Sequence, residues 1–324
     1  MTRDAIAAID IGGTKIALGL SDAEGGEPVF HRFPTRLGDG PRRIMEAALA
    51  ELEGMADARG ARVVAAGVGC GGPLDRGRGL ILSPPNLPGW DEFPVVRMVE
   101  ERLGVPVLLD NDANAAALGE HEYGAGRGFR HLIYLTISTG IGGGIIIGGR
   151  LVHGVGDGAG EVGHMVVEPG GPPCPCGGQG CLEALCSGTS IARRAAEALS
   201  RGDVPSMLMR EGGRPEDITA RAVAAAAARG DRLAAGVWDE TVRYLALGLS
   251  NIIAVLAPEA IILGGGVSTA GEQLLTPLRR LVRESVRIMP VGRVQILQAA
   301  LGADSAVYGA LLLGRAALST SSRV

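Results

Sequence analysis

The sequence predicts an α/β protein built from two similar halves. An apolar run at residues 5–11 is followed by a glycine turn and a second apolar run, the pattern of a strand, a tight turn and a strand. The same pattern recurs at residues 131–147, around the glycine turn at residues 138–144. Helical patterns follow each copy later in the chain, so we expect a duplicated α/β fold with a cleft between its halves.

The other elements follow in chain order from local patterns. A helix is expected at residues 41–55, because Pro41 stands where a missing N–H costs little and apolar residues recur at helical spacing. Proline excludes regular structure at residues 83–90. The remaining expectations are strands at residues 16–20, 29–33, 63–68, 105–109 and 260–263, and helices that start at residue 111 or cover residues 189–200, 220–229, 233–256 and 305–318.

Length and composition indicate two domains with aliphatic cores. The 324 residues suffice for two cores, and hydrophobic residues make up 46% of the chain although aromatic residues make up only 3%. We expect a small α/β domain from residues 1–110, completed by a C-terminal helix within residues 305–324. A large α/β domain at residues 111–304 would carry a cysteine-rich loop.

Charge and hydropathy argue against two classes of partner. The net charge is −4 and no basic run occurs, which disfavours a nucleic-acid partner. The N-terminus lacks the pattern of a signal peptide. The most apolar long segment, residues 244–263, is interrupted by Asn251, Pro258 and Glu259, which disfavours a membrane span. The sequence therefore predicts a soluble, cytoplasmic protein.

A metal site is indicated by one histidine and three cysteines within 18 residues. His164, Cys174, Cys176 and Cys181 supply the four ligands of a closed tetrahedral zinc site, and glycines and prolines between them permit tight turns. A disulfide with one remaining thiol is the alternative. The five cysteines of the chain are few, clustered and odd in number, which fits a reducing compartment better.

A further thiol leaves the ligand set open. Cys186 follows Cys181 by five residues and could replace His164 as the fourth ligand. We favour His164, because Cys186 falls where a helix should already have begun. Glu161 and Glu183 flank the four ligands and are interpreted as substrate contacts.

Glycine turns that follow apolar strands indicate a phosphate-binding protein. Glycine lets backbone N–H groups approach phosphate oxygens, and the hydroxyl groups of Thr14 and Thr139 add donors. A single turn of this kind is equally compatible with an ordinary hairpin, but three of them follow apolar strands, at residues 12–13, 138–144 and 264–266. None matches the Walker pattern, because no Gly-Lys-Ser/Thr precedes a helix. None matches the dinucleotide-binding pattern, since Gly12-Gly13 leads into a strand.

Five motifs in order carry a resemblance to one family. They are Asp10-Ile-Gly-Gly-Thr-Lys15, Asn111-Asp-Ala-Asn114, Glu161-Val-Gly-His164, Cys174-Pro-Cys-Gly-Gly-Gln-Gly-Cys181-Leu-Glu183 and Leu263-Gly-Gly-Gly-Val-Ser268. Together they resemble the ROK family of repressors and sugar kinases, and within it the bacterial ATP-dependent glucokinases. The resemblance implies an actin-like, hexokinase-like ATPase fold with two α/β domains.

The resemblance also implies a catalytic base. Asp112 matches the residue that accepts the proton of the attacking sugar hydroxyl in the family, and a helix N-terminus would favour its ionised form. The alternative is that Asp112 serves only as a helix N-cap.

The other implied roles concern sugar, nucleotide and metals. Sugar-binding positions are Gly72, Asn86, Asn111, Asp112, Glu161, His164 and Glu183. ATP-binding positions are Asp10, which would hold Mg²⁺ through water, and Gly12, Gly13, Thr14, Lys15, Thr139, Gly140, Gly265 and Gly266. The ion held by His164, Cys174, Cys176 and Cys181 would be a structural Zn²⁺.

The resemblance favours one reaction and leaves several alternative sugar acceptors. Glucose phosphorylated at the 6-hydroxyl is the favoured reaction, and N-acetylmannosamine, N-acetylglucosamine, mannose and fructose are alternative acceptors. A sugar-responsive repressor is less favoured, because nine residues before Asp10 leave no space for a helix-turn-helix. By analogy with the family we expect a homodimer or a dimer of dimers.

Overall fold

The computed structural model describes residues 2–202, 206–209 and 214–321, so the last three residues of the predicted 305–324 segment lie outside it. The strands are β1 (Arg3–Ile11), β2 (Lys15–Asp22), β3 (Val29–Pro34), β4 (Ala61–Cys70), β5 (Leu74–Asp75), β6 (Leu80–Ile81), β7 (Val107–Asn111), β8 (Leu132–Ile137), β9 (Ile141–Ile147), β10 (Arg150–Val152), β11 (Ala260–Gly264) and β12 (Gln295–Gln298).

The helices are α1 (Gly40–Ala58), α2 (Val95–Leu103), α3 (Asp112–Tyr123), α4 (Leu182–Cys186), α5 (Gly188–Ser200), α6 (Ala220–Ala228), α7 (Arg232–Leu256), α8 (Gly265–Ser268), α9 (Glu272–Ser285) and α10 (Ser305–Ser321). Short 3-10 helices include Val155–Asp157 and Val162–His164. No helix among the described residues is long and apolar enough to cross a membrane.

The chain divides into two compact units. The first unit consists of Met1–Gly128, Leu151–Ala159 and Ala303–Val324, and the second of Phe129–Arg150 and Gly160–Gly302. Each unit is therefore assembled from separate stretches of the chain, and α10 belongs to the first unit, where it packs on α3 and β4.

The first unit is built on a mixed sheet. In the described part of the chain its strand order is β3-β2-β1-β4-β7, with β1 antiparallel to β2 and parallel to β4. Ile9, Ile11 and Leu18 are fully or almost fully buried, and they pack against buried residues of α1 such as Leu52. Because β1, β4 and β7 run parallel, their carboxyl ends meet at one edge of the sheet, where Asp10 and Asn111 lie.

The second unit repeats this arrangement. Its strands β8, β9, β11 and β12 belong to a described sheet of order β10-β9-β8-β11-β12, in which β8 is antiparallel to β9 and parallel to β11. The position of each strand corresponds to that of a strand in the first sheet. The core of this unit includes Leu135, Leu182, Trp238 and Leu263. The expectation of a duplicated α/β fold from two strand-turn-strand patterns is confirmed by these two sheets.

Helix α2 was not expected from the sequence. It buries Val95 and Val99, and its C-terminus is followed by Gly104 in the left-handed conformation (φ 67°). A glycine after a run with apolar residues four apart is a helix C-cap signal that the sequence does contain.

Candidate active site and metal centre

The first glycine turn joins β1 to β2 and is held by backbone bonds. The Gly12 N–H donates to the Lys15 carbonyl at 3.0 Å. The Thr35 hydroxyl donates to the Gly12 carbonyl at 2.6 Å, and the Thr35 N–H donates to the Thr14 carbonyl at 3.0 Å. Thr35, which sequence reasoning missed, therefore fixes the shape of the turn that carries Thr14 and Lys15.

Gly13 brings the proline-rich loop against this turn. A Cβ atom added to Gly13 would lie 2.4 Å from the Asn86 carbonyl oxygen, a distance that no side chain permits. Glycine is thus required because two backbone segments touch. The contact places Asn86, a predicted sugar-binding residue, next to the predicted phosphate-binding turn.

Asn111 and Asp112 form the N-terminus of α3. The Asn111 side-chain oxygen accepts from the N–H groups of Ala113 (2.9 Å) and Asn114 (3.4 Å), so Asn111 is the N-cap. The Asp112 carboxylate accepts from the Ala113 N–H at 2.8 Å. A Cβ atom on Gly72 would lie 3.5 Å from the Asn111 amide nitrogen, which places Gly72 beside this helix end.

Two carboxylates lie at this sheet edge. A Cβ atom on Gly69 of β4 would be 3.7 Å from Asp10 Oδ1 and 4.0 Å from the Asp112 Cα atom. Burial, and next the nearby Asp112 charge, raise the pKa of Asp10 to about 7, although Lys15 and Arg32 oppose the shift. Such a pair of carboxylates is suited to hold a cation and to accept a proton.

The raised pKa predicts a stabilising substitution. The folded Asp10 keeps its proton up to about pH 7, whereas an unfolded aspartate loses it near pH 4, so stability falls as the pH rises between these values. In magnesium-free buffer, Asp10→Asn should raise the unfolding free energy at pH 8 by up to about 4 kcal/mol, and by about half as much at pH 5.5.

Urea titrations at both pH values measure this difference. Asp22→Asn is the matched control, because the Asp22 side chain is 49% exposed and its replacement should change stability by less than about 0.5 kcal/mol. An Asp10→Asn variant without any gain in stability at pH 8 would contradict the account of Asp10.

A buried ionic network lies immediately before Asn111. Asp110 is fully buried, and one carboxylate oxygen accepts from the Asn111 N–H (2.8 Å) and the Asn114 amide (2.9 Å). The other oxygen contacts His153 Nε2 at 2.8 Å and Arg76 Nε at 3.3 Å. The network holds the end of β7, and with it the start of α3.

The same network anchors the Leu151–Ala159 segment. Arg76 also pairs with Asp157 at 3.0 Å, and Asp157 has a positive φ of 58°. Sequence reasoning missed these residues. The available signal was Asp110 itself, an acidic residue at the end of an apolar strand, since a buried carboxylate needs partners.

The second glycine turn joins β8 to β9. Inside it, the Ser138 N–H donates to the Gly140 carbonyl at 2.9 Å. The Gly188 N–H donates to the Ser138 carbonyl at 2.6 Å, and the Thr189 hydroxyl donates to the Thr139 carbonyl at 2.9 Å. The N-terminus of α5 therefore holds a turn predicted to bind phosphate. Thr189 was not expected to take part.

The third glycine turn lies at the same edge of the second sheet. Gly264, the last residue of β11, pairs with Thr136 of β8. A Cβ atom on Gly265, whose φ is 80°, would lie 2.5 Å from the Ile137 carbonyl oxygen. Gly266 has open space where a side chain would be. Gly265 and Gly266 thus lie close to the end of the strand that leads into the second turn.

The predicted metal ligands converge. The four ligand atoms of His164, Cys174, Cys176 and Cys181 all lie within 4.8 Å of one another. His164 Nδ1 is 3.6 Å from Cys174 Sγ, and Cys176 Sγ is 3.7 Å from Cys181 Sγ. A tetrahedral zinc ion with ordinary bond lengths requires ligand-to-ligand distances of about 3.5–3.8 Å. The donor set and these two distances therefore fit zinc.

Backbone hydrogen bonds shape the loop that carries the four ligands, residues 164–181, which we call the metal loop. The Cys174 N–H donates to the Gly178 carbonyl at 2.9 Å. The backbone N–H of Gly178 lowers the pKa of the Cys176 thiol, which favours the thiolate that a metal ion binds. The Tyr244 hydroxyl donates to the Glu168 carboxylate at 2.7 Å and so connects the loop to α7.

Cys186 lies apart from these four ligands. It is the last residue of α4, it is fully buried, and its thiol donates to the Thr241 carbonyl at 3.5 Å. Burial raises the pKa of this thiol. Among the described residues, the cluster able to hold a metal contains His164 rather than Cys186.

The two glutamates beside the metal centre differ in their contacts. Glu161 lies 3.8 Å from His164 Nε2, so the two ring nitrogens of His164 face Cys174 and Glu161. Glu183 accepts the Ile141 N–H at 2.7 Å, and this bond joins it to the second glycine turn. Sequence reasoning expected both carboxylates to contact substrate and did not anticipate the Glu183 contact with the turn.

Comparison with known proteins agrees with the fold and the motifs. The chain belongs to the ROK family, whose model matches residues 6–317. It is 37% identical over 311 residues to a glucokinase of Thermotoga maritima, covering 96% of this chain and 97% of the relative. It is 33% identical over 308 residues to an N-acetylmannosamine kinase of Escherichia fergusonii, covering 95% and 97% of the two chains.

A solved structure supports the same conclusion. The ROK family glucokinase from Streptomyces griseus, in complex with glucose and AMPPNP, superposes with a TM-score of 0.80 at 35% identity, covering 96% of this chain and 99% of that one. The resemblance inferred from five sequence motifs is thereby confirmed, and so is the hexokinase-like α/β fold class.

Proposed function

We propose that this protein transfers the γ-phosphoryl group of ATP to the 6-hydroxyl of glucose. The observation that carries the proposal is the placement of Asp112 at the start of α3, close to Asp10 and to the strand ends that precede the first glycine turn. A helix N-terminus favours the ionised form of a carboxylate, which is the form that can act as a base. The similarity to kinases named for glucose supports the choice of reaction.

Asp112 is proposed to act as the general base. A sugar hydroxyl is a weak nucleophile, and a carboxylate within hydrogen-bonding reach accepts its proton as the phosphoryl group transfers. The bond from the Ala113 N–H orients one oxygen of the Asp112 carboxylate. Behind it, the Asp110 network holds the strand end on which this geometry depends.

The sugar is proposed to be held by amides and carboxylates. In Asn111 the side-chain oxygen caps α3, so its amide nitrogen is the group available to donate to a sugar hydroxyl. Carboxylates accept from neighbouring hydroxyls, and the ring N–H that a metal-bound imidazole keeps can donate to one. A site of this kind rejects sugars that lack those hydroxyls. The proposed sugar-binding residues are Gly72, Asn86, Asn111, Asp112, Glu161, His164 and Glu183.

The nucleotide is proposed to bind at the glycine turns. Their backbone N–H groups and threonine hydroxyls are suitable donors for phosphate oxygens. Magnesium neutralises charge on the transferring phosphates, and Asp10 would hold it through water. The proposed residues are Asp10, Gly12, Gly13, Thr14, Lys15, Thr139 and Gly140 for the phosphates, and Gly265 and Gly266 for the adenosine.

A zinc ion at His164, Cys174, Cys176 and Cys181 is proposed to be structural. All four tetrahedral positions would be filled by the protein, so the ion would order the loop without binding substrate. A homodimer or dimer of dimers and a cytoplasmic location also stay predictions for this protein.

The choice of sugar is tested by ADP release coupled to an indicator reaction. Glucose should give the highest kcat/KM among glucose, mannose, fructose, N-acetylglucosamine and N-acetylmannosamine, each with ATP and Mg²⁺. The second candidate, N-acetylmannosamine, is favoured by the similarity to the kinase named for that sugar. A tenfold or greater preference for an acetylated sugar would exclude glucose as the substrate and retain the kinase mechanism.

A further inference from the structure

The first residue of β9 is held from two directions. The Ile141 N–H donates to Glu183 Oε2 at 2.7 Å. Its carbonyl oxygen lies so close to Gly163 that a Cβ atom there would be 2.1 Å away. The peptide groups of Ile141 are therefore enclosed by two separate chain segments. One segment contains Gly163 and the other contains Glu183.

Each of these segments carries a metal ligand. His164 follows Gly163 directly, and Cys181 precedes Glu183 by two residues. An ion bound by both ligands would hold the two segments together around Ile141. The Leu182 N–H also donates to the Met165 carbonyl at 2.9 Å, and the Val167 N–H donates to the Gly180 carbonyl at 2.9 Å, so the segments keep direct backbone links when the metal is lost. Loss of the ion should therefore loosen the enclosure and not abolish it.

The enclosed residue, Ile141, comes directly after Gly140 of the second glycine turn. A Cβ atom on Gly140 would lie 2.5 Å from Glu183 Oε2, so the carboxylate packs directly on the turn. The residues that follow Glu183 hold the rest of it, through the Gly188 N–H on Ser138 and the Thr189 hydroxyl on Thr139. The conformation of the turn thus depends on the segment that leaves the metal loop.

We propose that the zinc centre and nucleotide binding are energetically coupled, with Glu183 as the positioning residue that connects the metal loop to the second glycine turn. The proposal rests on the function proposed above, in which this turn binds phosphate. It gives Glu183 a second role besides the sugar contact. Because coupling between two binding sites is reciprocal, a bound nucleotide must retain zinc as strongly as zinc favours the nucleotide.

The rate of zinc release from the intact protein reports this coupling, because a change in zinc affinity appears in the dissociation rate when zinc association is unchanged. Zinc-loaded protein, without sugar, is mixed with an excess of the chromophoric chelator pyridylazoresorcinol, in the presence or absence of saturating AMPPNP. We expect AMPPNP to slow zinc release at least about fivefold, the lower end of typical coupling between sites. Calorimetry with AMPPNP establishes beforehand that the nucleotide binds, which tests the proposed function separately.

Three variants distinguish this coupling from general stabilisation by a ligand. Glu183→Ala should still bind zinc, since no metal ligand is changed, but AMPPNP should slow its release clearly less than in the wild type, because only the bonds from Gly188 and Thr189 remain. Glu183→Gln keeps an oxygen that can accept the Ile141 N–H, so the nucleotide effect should return. Glu161→Ala is the matched control, because Glu161 also flanks the metal ligands but its carboxylate lies against His164 Nε2, and its ratio of release rates should equal that of the wild type.

The possible outcomes separate the hypotheses. Equal slowing in Glu183→Ala and wild type would overturn the proposal, because the nucleotide would then act through overall stability. Unchanged zinc release in a wild-type protein that binds AMPPNP would also overturn it, while leaving the proposed kinase function intact. A wild-type protein that does not bind AMPPNP would refute both.

Discussion

Asp112→Asn should abolish most turnover while preserving the fold. The amide keeps the size of the carboxylate and can still accept the Ala113 N–H, so α3 should begin as before. It cannot accept the proton of a sugar hydroxyl. Removal of a general base costs about 10²–10⁴-fold in rate, so kcat should fall by at least that factor while glucose affinity stays within about tenfold.

Steady-state kinetics and calorimetry with glucose measure the two quantities. Asp39→Asn is a suitable control, because this exposed residue precedes α1 and makes no side-chain cap bond. Its kcat should equal that of the wild type. If Asp112→Asn retains half of the wild-type turnover, Asp112 is not the base.

Cys176→Ala should remove the metal and most of the activity. Three ligands cannot complete the closed tetrahedral site that the four ligand atoms define. The loop that carries His164 and leads to Glu183 would lose its main constraint, and we expect kcat/KM to fall at least about tenfold. Metal analysis should show one zinc ion per chain in the wild type and none in the variant.

Cys186→Ala provides the matched control. This thiol is buried against the Thr241 carbonyl, so its loss should affect packing but leave the zinc content at the wild-type level. The assignment of His164 as fourth ligand would be wrong if Cys186→Ala lost zinc while His164→Ala retained it.

Local sequence patterns predicted the strands, the helix start and the metal ligands whose partners are close together in the sequence. The apolar runs on either side of the first glycine turn became β1 and β2, because a turn and its flanking strands are adjacent in sequence. A helix from residue 111 was also predicted, and the Asn111 side chain that caps it accepts from N–H groups only two and three positions away. The four metal ligands lie within 18 residues, and this short spacing was sufficient to predict from the sequence that they converge.

Elements that depend on tertiary context were not predicted. Helix α9 contains Pro277, which argues against a helix when the sequence is considered alone. Strand β12 has only four residues with glutamine at both ends, and it is a strand because it pairs with β11. Its local sequence carries no strand pattern of useful length.

The contacts that organise the candidate site are also long-range. His153 reaches Asp110 across 43 residues, and Arg76 reaches Asp157 across 81. The bond from Ile141 to Glu183 spans 42 residues. Residue types alone could indicate that Glu183 has a chemical role, but the pairing of its carboxylate with the second glycine turn depends on how the second unit folds.

Phosphoryl transfer to one particular hydroxyl is the central claim, and product analysis tests it most directly. The protein is incubated with ATP, Mg²⁺ and glucose, and the products are followed by phosphorus NMR. We predict glucose 6-phosphate and ADP in equal amounts, and no sugar phosphate from 6-deoxyglucose, which lacks the acceptor hydroxyl. Formation of ADP without a sugar phosphate, or phosphorylation of 6-deoxyglucose, would contradict the proposed reaction.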